Sequence, residues 1–229
     1  MSAWGTSTRS TNGTPSSHRR HRLGGDGFSH GGHDTSMYAF YINLDRRTDR
    51  RTEVEKEFAD KGLVVERFPA VEYTPGTIGC NLSHIEVLKV ARARNYPSVM
   101  IFEDDFQFVV SNEQWTHLIA QLPETYDVVM MSYNTIQPSP YNDVFDRVQG
   151  AQTTSGYIVH SRFYDKLIAQ WEEGVELFKQ NPELHWVYLL DQYWKPLQPV
   201  SDWFAFKTRI GIQRPGFSDL AGGFVEYGC

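Results

Sequence analysis

Val99-Met100-Ile101-Phe102-Glu103-Asp104-Asp105 is an unbroken apolar run that ends in three adjacent acids. A strand covered by helices on both faces accepts consecutive large apolar side chains, because neither face is wet. Ionised carboxylates cannot follow into that interior without a cation or strong donors. The acids therefore belong where the strand emerges, at the carboxyl end of a sheet, where open α/β folds keep their ligand crevices. Three neighbouring carboxylates repel one another unless a cation is present. A divalent metal with phosphate oxygens on its far side suits them, since hard cations take oxygen ligands. The alternative is an exposed acidic turn that merely follows a strand.

Outward from this strand, apolar runs alternate with helical patterns. Residues 38–44 form a first strand, and Asp45 can cap a helix that carries Val54 and Phe58 on one face and stops at Gly62. Residues 63–71 offer a second strand. Asn81 or Ser83 then starts a helix with Leu82, Ile85, Leu88 and Ala91, ended by Pro97. Beyond the acids come a helix at 115–122, a strand at 126–131, a long loop at 134–143 suited to a lid or acceptor-facing flap, a strand at 153–159 and a helix at 163–179. This alternation predicts an α/β fold with a mostly parallel central sheet flanked by helices.

Of the 229 residues, 1–36 are dominated by Ser, Thr, Gly, His and Arg. Such a segment buries too little to offset its ordering entropy and reads as a disordered basic tail. Residues 37–229 suffice for a single domain. The net charge is −6 although the tail holds Arg9, Arg19, Arg20 and Arg22, so the domain is more acidic still and no nucleic acid is expected as partner. Cys80 and Cys229 give no disulfide framework. Neither a membrane-length apolar stretch nor a signal-peptide core is visible, so no membrane span and a cytoplasmic location are the expectation. The chain contains no P-loop, nucleophile elbow or zincin helix. The tail's His18, His21, His30 and His33 form two H-x-x-H pairs in Cys-free, Asp-poor surroundings that do not favour a metal site.

Three further groups carry candidate chemistry. Arg46 and Arg50 share a helix face where the first strand gives way to the first helix, as do Arg47 and Arg51. Cations at such a place suit a nucleotide diphosphate, or they stitch a solvated helix to its own acids. In Gly79-Cys80-Asn81-Leu82-Ser83-His84 a glycine permits close backbone approach and helix-start amides can meet an anion; a capped helix with a surface histidine is the plainer alternative. Asp191 lies in an aromatic and aliphatic neighbourhood, where partial burial raises a carboxyl pKa toward general-base work, or where a structural Asp bonds its neighbours.

In this order the pieces resemble glycosyltransferase family 25. The resemblance rests on Tyr41-Ile42-Asn43-Leu44-Asp45-Arg46-Arg47-Thr48-Asp49-Arg50, the Gly79 to His84 segment, Ile101-Phe102-Glu103-Asp104-Asp105, Ser155-Gly156-Tyr157-Ile158-Val159, Asp191, Asp202-Trp203-Phe204 and Gln213-Arg214-Pro215-Gly216-Phe217-Ser218-Asp219. It implies a GT-A fold, a UDP-galactose or UDP-glucose donor, Mn²⁺ as cofactor, and inversion at the anomeric carbon. By the same resemblance Glu103 and Asp105 hold the metal. Asn43, Arg46, Arg50, Gly79, Ser83, His84 and Asp104 hold the nucleotide, and Asp191 is the base that deprotonates a glycan or protein hydroxyl acceptor. Many GT-A enzymes draw a further metal ligand, often His, from near the C-terminus; no His follows His185 in this sequence, and that ligand is left unassigned. Two other functions stay open: a transferase-like module that only binds glycan or protein, and a metal-dependent phosphoester hydrolase.

Overall fold

The two apolar runs that carry the first strand and the acids lie side by side in the computed structural model, which describes residues 37–134 and 137–229. The tail read at 1–36 lies outside the described residues. The first elements are β1 (Tyr38–Asn43), α1 (Thr48–Asp60), β2 (Glu66–Pro69), α2 (Gly76–Ala93), β3 (Ser98–Glu103) and β4 (Phe106–Phe108). Next come α3 (Asn112–Ile119), β5 (Val128–Met130), β6 (Gln137–Pro140), β7 (Phe145–Gln149), β8 (Gly156–His160) and α4 (Tyr164–Gln180). Last are α5 (Leu190–Tyr193), β9 (Trp203–Phe206), β10 (Gly211–Gln213), β11 (Gly216–Ser218) and β12 (Gly223–Val225).

The main sheet has the order β2-β1-β3-β8-β5-β9-β7-β6. Alternate residues of its strands feed two cores. Phe40, Ile42, Val99 and Ile101 pack with Ile85 and Leu88 of α2 and Leu167 and Trp171 of α4. Tyr41, Met100 and Phe102 pack on the other face with Val54 and Phe58 of α1 and Trp115 of α3. The α/β class expected from the sequence is thus present. The sheet is mixed, however, rather than mostly parallel. β1–β2, β1–β3 and β5–β9 are parallel, whereas β8 runs antiparallel to both β3 and β5. β7–β9 and β6–β7 are antiparallel as well. A parallel neighbour needs a crossover, usually helical. Among the described residues no helix separates β5 from β8, because the segment read as a loop at 134–143 instead contributes β6, the partner of β7.

Two helix starts also differ from the sequence reading. α1 opens after Arg47 without a side-chain cap, because Asp45 is engaged by Arg67 at 2.6 Å. α2 opens at Gly76, ahead of Asn81 and Ser83. α3 begins with a reciprocal capping box between Ser111 and Gln114.

Behind the acids, the Phe106 ring lies on the backbones of Gly156 and Gly211, and a Cβ at either position would run into it. Phe102 and Phe108 hold that ring from the sides, each with centroids 4.9 Å away. Gly156→Ala is therefore expected to lower stability by about 1–3 kcal/mol, the range for overpacking a filled core. A denaturant midpoint shifted down at unchanged slope would show it.

Candidate functional site

β1 and β3 are parallel neighbours with Ile42 opposite Glu103, so Asn43 and Asp104 leave the sheet together. Asn43 Nδ2 donates to Asp104 Oδ2 at 2.7 Å. Arg67 Nε donates to Asn43 Oδ1 at 3.0 Å, which fixes the orientation of the amide. The next acid is held from above. Arg50 of α1 places Nη1 2.9 Å from both Asp104 Oδ1 and Asp105 Oδ2, and Gln213 Nε2 donates to Asp105 Oδ2 at 3.1 Å. Asp105 Oδ1 is buried and has no hydrogen-bond partner among the described residues.

Burial, then the charge of Glu103, pushes the Asp105 carboxyl up to about 7, with Arg50 opposing. Burial also raises Asp104 despite Arg50 and Asn43. For Arg50 burial works against the charged form, and Asp105 and Asp104 outweigh it, so its pKa lies above the ordinary value. Burial likewise works to raise Glu103, but the nearby His84 imidazole, with Thr154 and Arg50, brings it below the usual carboxylate value. The cluster thus mixes an ionised glutamate with aspartates drawn toward their neutral forms, as expected where positive charge is in short supply.

One helical turn of α2 brings Cys80 and His84 to this place from beneath. His84 Nε2 stands 3.3 Å from Glu103 Oε1, and Thr154 Oγ1 donates to the same oxygen at 2.5 Å. Burial, followed by the surrounding acids, pushes the Cys80 thiol well up.

Asn43, Arg46, Arg50, Gly79, Ser83, His84, Glu103, Asp104 and Asp105 all line one cavity of about 640 Å³. Two of them have local duties. Ser83 Oγ donates to Gly79 O at 2.7 Å and accepts from Val71 N at 2.8 Å. Gly79 lies inside α2, and a Cβ there would meet Val71 O at 2.5 Å. The close approach that the glycine permits is thus to the segment after β2. Asp191 is not among the lining residues. It sits half-buried at the start of α5, where Oδ2 accepts from Thr153 N at 3.2 Å. Burial raises its pKa, and the charge of Glu103 adds to the shift.

The far wall is the β11–β12 hairpin. Arg47 Nη1 pairs with Asp219 Oδ2 at 2.7 Å, and Arg46 Nη2 lies 3.7 Å from Asp219 Oδ1. Arg50 Nη2 donates to Phe217 O at 2.9 Å. Three guanidinium groups therefore converge on one wall and carry the hairpin. Sequence reasoning gave no role to Cys80, Thr154, Tyr157, Gln213 or Asp219. The four-residue spacing of Cys80 and His84 was a usable signal; Tyr157, Gln213 and Asp219 stood in segments that carried the resemblance but had no role assigned, and Thr154 left no signal.

An α/β sheet whose strand ends open into an acid- and arginine-lined cavity is thus the class of protein that fold and site define. Residues 71–177 match the family model described as Glycosyltransferase family 25 (LPS biosynthesis protein). The matched segment, a little under half of the chain, carries α2, the acidic turn and β8. Relatives described as "Glycosyltransferase 25 family member" include one from Anopheles gambiae, 33% identical over 99 residues, covering 31% of this chain and 17% of that protein. One from Drosophila melanogaster is 31% identical over 97 residues, covering 30% of this chain and 16% of that protein. The match thus spans about a sixth of the length of these relatives. Among solved structures, the chain is similar to a glycosyltransferase involved in the glycosylation of the major capsid of PBCV-1, with TM-score 0.49, 13% identity, and coverage of 80% of this chain and 94% of that one. It is also similar to mannose-1-phosphate geranyltransferase from Thermus thermophilus, with TM-score 0.42, 10% identity, and coverage of 78% and 74%.

Proposed function

We propose that this domain is an inverting, divalent-cation-dependent glycosyltransferase that moves galactose or glucose from a UDP-sugar to a hydroxyl of a glycan or protein acceptor. One observation carries the reading: a single cavity joins three guanidinium groups to an acid cluster whose buried Asp105 Oδ1 and His84 Nε2 have no hydrogen-bond partner among the described residues. Unpartnered buried polar atoms are costly and call for an occupant. Carboxylate oxygens beside them suit a cation such as Mn²⁺, so the residues present fit the cofactor that the family resemblance implies.

When bound, such a cation supplies charge that stabilises the departing nucleotide diphosphate. Glu103 and Asp105 would hold it, with Asp104 kept in place by Asn43 and Arg50. Arg46, Arg47 and Arg50 present their donors to the diphosphate. In this reading Asp191 accepts the acceptor's hydroxyl proton. Its raised pKa brings it nearer the operating pH, which favours proton transfer. Inversion follows from one in-line displacement with a single base. Among the described residues no helix is long and apolar enough to cross a membrane.

The test is a panel of nucleotide sugars incubated with Mn²⁺, with UDP release followed with and without EDTA. Metal-dependent UDP formation from one donor is the expected result. Phosphate release from simple esters, or inertness accompanied by glycan binding, would replace the proposal with one of the two other functions.

A further inference from the structure

Beneath the carboxylates stands a second set of donors. Cys80, His84 and Glu103 each offer one ligand atom, and these atoms all lie within 4.8 Å of one another. His84 Nε2 and Glu103 Oε1 are 3.3 Å apart. Two ligands bonded to one ion at about 2.0–2.1 Å and spread by a tetrahedral angle of about 110° are separated by about 3.3–3.4 Å. His84 is fully buried, and its Nε2 has no hydrogen-bond partner among the described residues. The ring itself is held. Nδ1 lies 2.8 Å from the Tyr157 hydroxyl, the Tyr157 ring stacks on it at 5.8 Å between centroids, and Trp171 meets it edge-on at 6.1 Å. A phenol oxygen both donates and accepts. When Nδ1–H donates to it, Nε2 turns its lone pair toward Cys80 and Glu103.

We infer that Cys80, His84 and Glu103 form a three-donor face for one divalent cation, with His84 Nε2 as its nitrogen ligand and Tyr157 as the positioning residue that holds the imidazole. This deepens the cation-dependent reading given above and rests on it. Sulfur, imidazole and carboxylate together favour a borderline ion of the Co²⁺ or Zn²⁺ kind over Mg²⁺. Binding releases the Cys80 proton to solvent, because a coordinating thiol is deprotonated.

Titration of the full chain with Co²⁺ tests it, with visible d–d absorption reporting binding and near-ultraviolet charge transfer reporting a thiolate ligand. Wild type is expected to show both signals. Cys80→Ser should keep the visible bands and lose the near-ultraviolet one. Tyr157→Phe, whose far-ultraviolet circular dichroism serves as the fold control, should bind about 10–100-fold more weakly, the usual effect of removing a ligand's supporting partner. His84→Gln should bind more weakly still; because that residue is fully buried, the Cys80 and Tyr157 variants carry the test if it does not fold. A near-ultraviolet band that survives Cys80→Ser, or Co²⁺ affinity unchanged in Tyr157→Phe and in folded His84→Gln, overturns the inference. If binding is then lost only in Asp105→Asn, the cation-dependent reading stands without His84. Wild type that binds no Co²⁺, Mn²⁺ or Mg²⁺ overturns both.

Discussion

Arg50→Ala is expected to lower stability by about 3–5 kcal/mol, the range for removing one partner of a buried ion pair. The side chains concerned are 16% exposed for Arg50, 10% for Asp104 and 7% for Asp105, so the small value typical of exposed pairs does not apply. The variant leaves two aspartates facing each other beside Glu103, and it frees the hairpin at Phe217. The loss should also depend on pH. Asp105 has its folded-state pKa raised from 3.8 to about 7. Its contribution to stability is therefore full below the unfolded value and is lost as pH rises through about 7. Without Arg50 both aspartates move higher, so the deficit against wild type should be larger at about pH 8 than at about pH 5. Denaturant unfolding at both pH values measures this. An equal deficit at the two would mean that the guanidinium acts through packing rather than charge.

Asp191→Asn is expected to cut transfer by about 10²- to 10⁴-fold, the usual contribution of a general base, while UDP binding stays within a few-fold of wild type. The distinction matters because Asp191 does not line the cavity and accepts a hydrogen bond from the backbone of Thr153, a residue at φ 75°. Positive φ is strained for a β-branched residue, and a carboxylate acceptor helps to hold it. An asparagine keeps the acceptor oxygen but cannot take a proton. Stable Asp191→Asn protein with transfer abolished and donor binding intact therefore marks the base. Full activity in that variant would reduce Asp191 to a support for the Thr153 turn.

The strands bounded by dense apolar runs were legible in the sequence, because burial on both faces leaves a continuous signature: β1, β3 and β5 are where their residues put them. β6 was not legible, since Gln137-Pro138-Ser139-Pro140 is exposed and proline-rich, and its strand character comes only from pairing with β7. Missing that hairpin also hid the direction of β8. At the site, the acids and arginines stood out because charges beside an apolar strand need a reason. Their second partners did not: Tyr157 reaches His84 across 73 residues, and Gln213 reaches Asp105 across 108. Gly79 and Ser83 were visible as a motif, yet their neighbours show them fastening α2 to Val71. Long-range contacts of this kind carry no local period.

Calorimetric titration of the domain with UDP, in the presence of Mn²⁺ and again after EDTA, tests most directly whether the acids and arginines of this cavity jointly hold a cation and a diphosphate. The expected result is saturable UDP binding that needs the cation, fails for uridine, and is lost in Asp105→Asn. UDP binding of equal strength without the cation, or unchanged in Asp105→Asn, would contradict it.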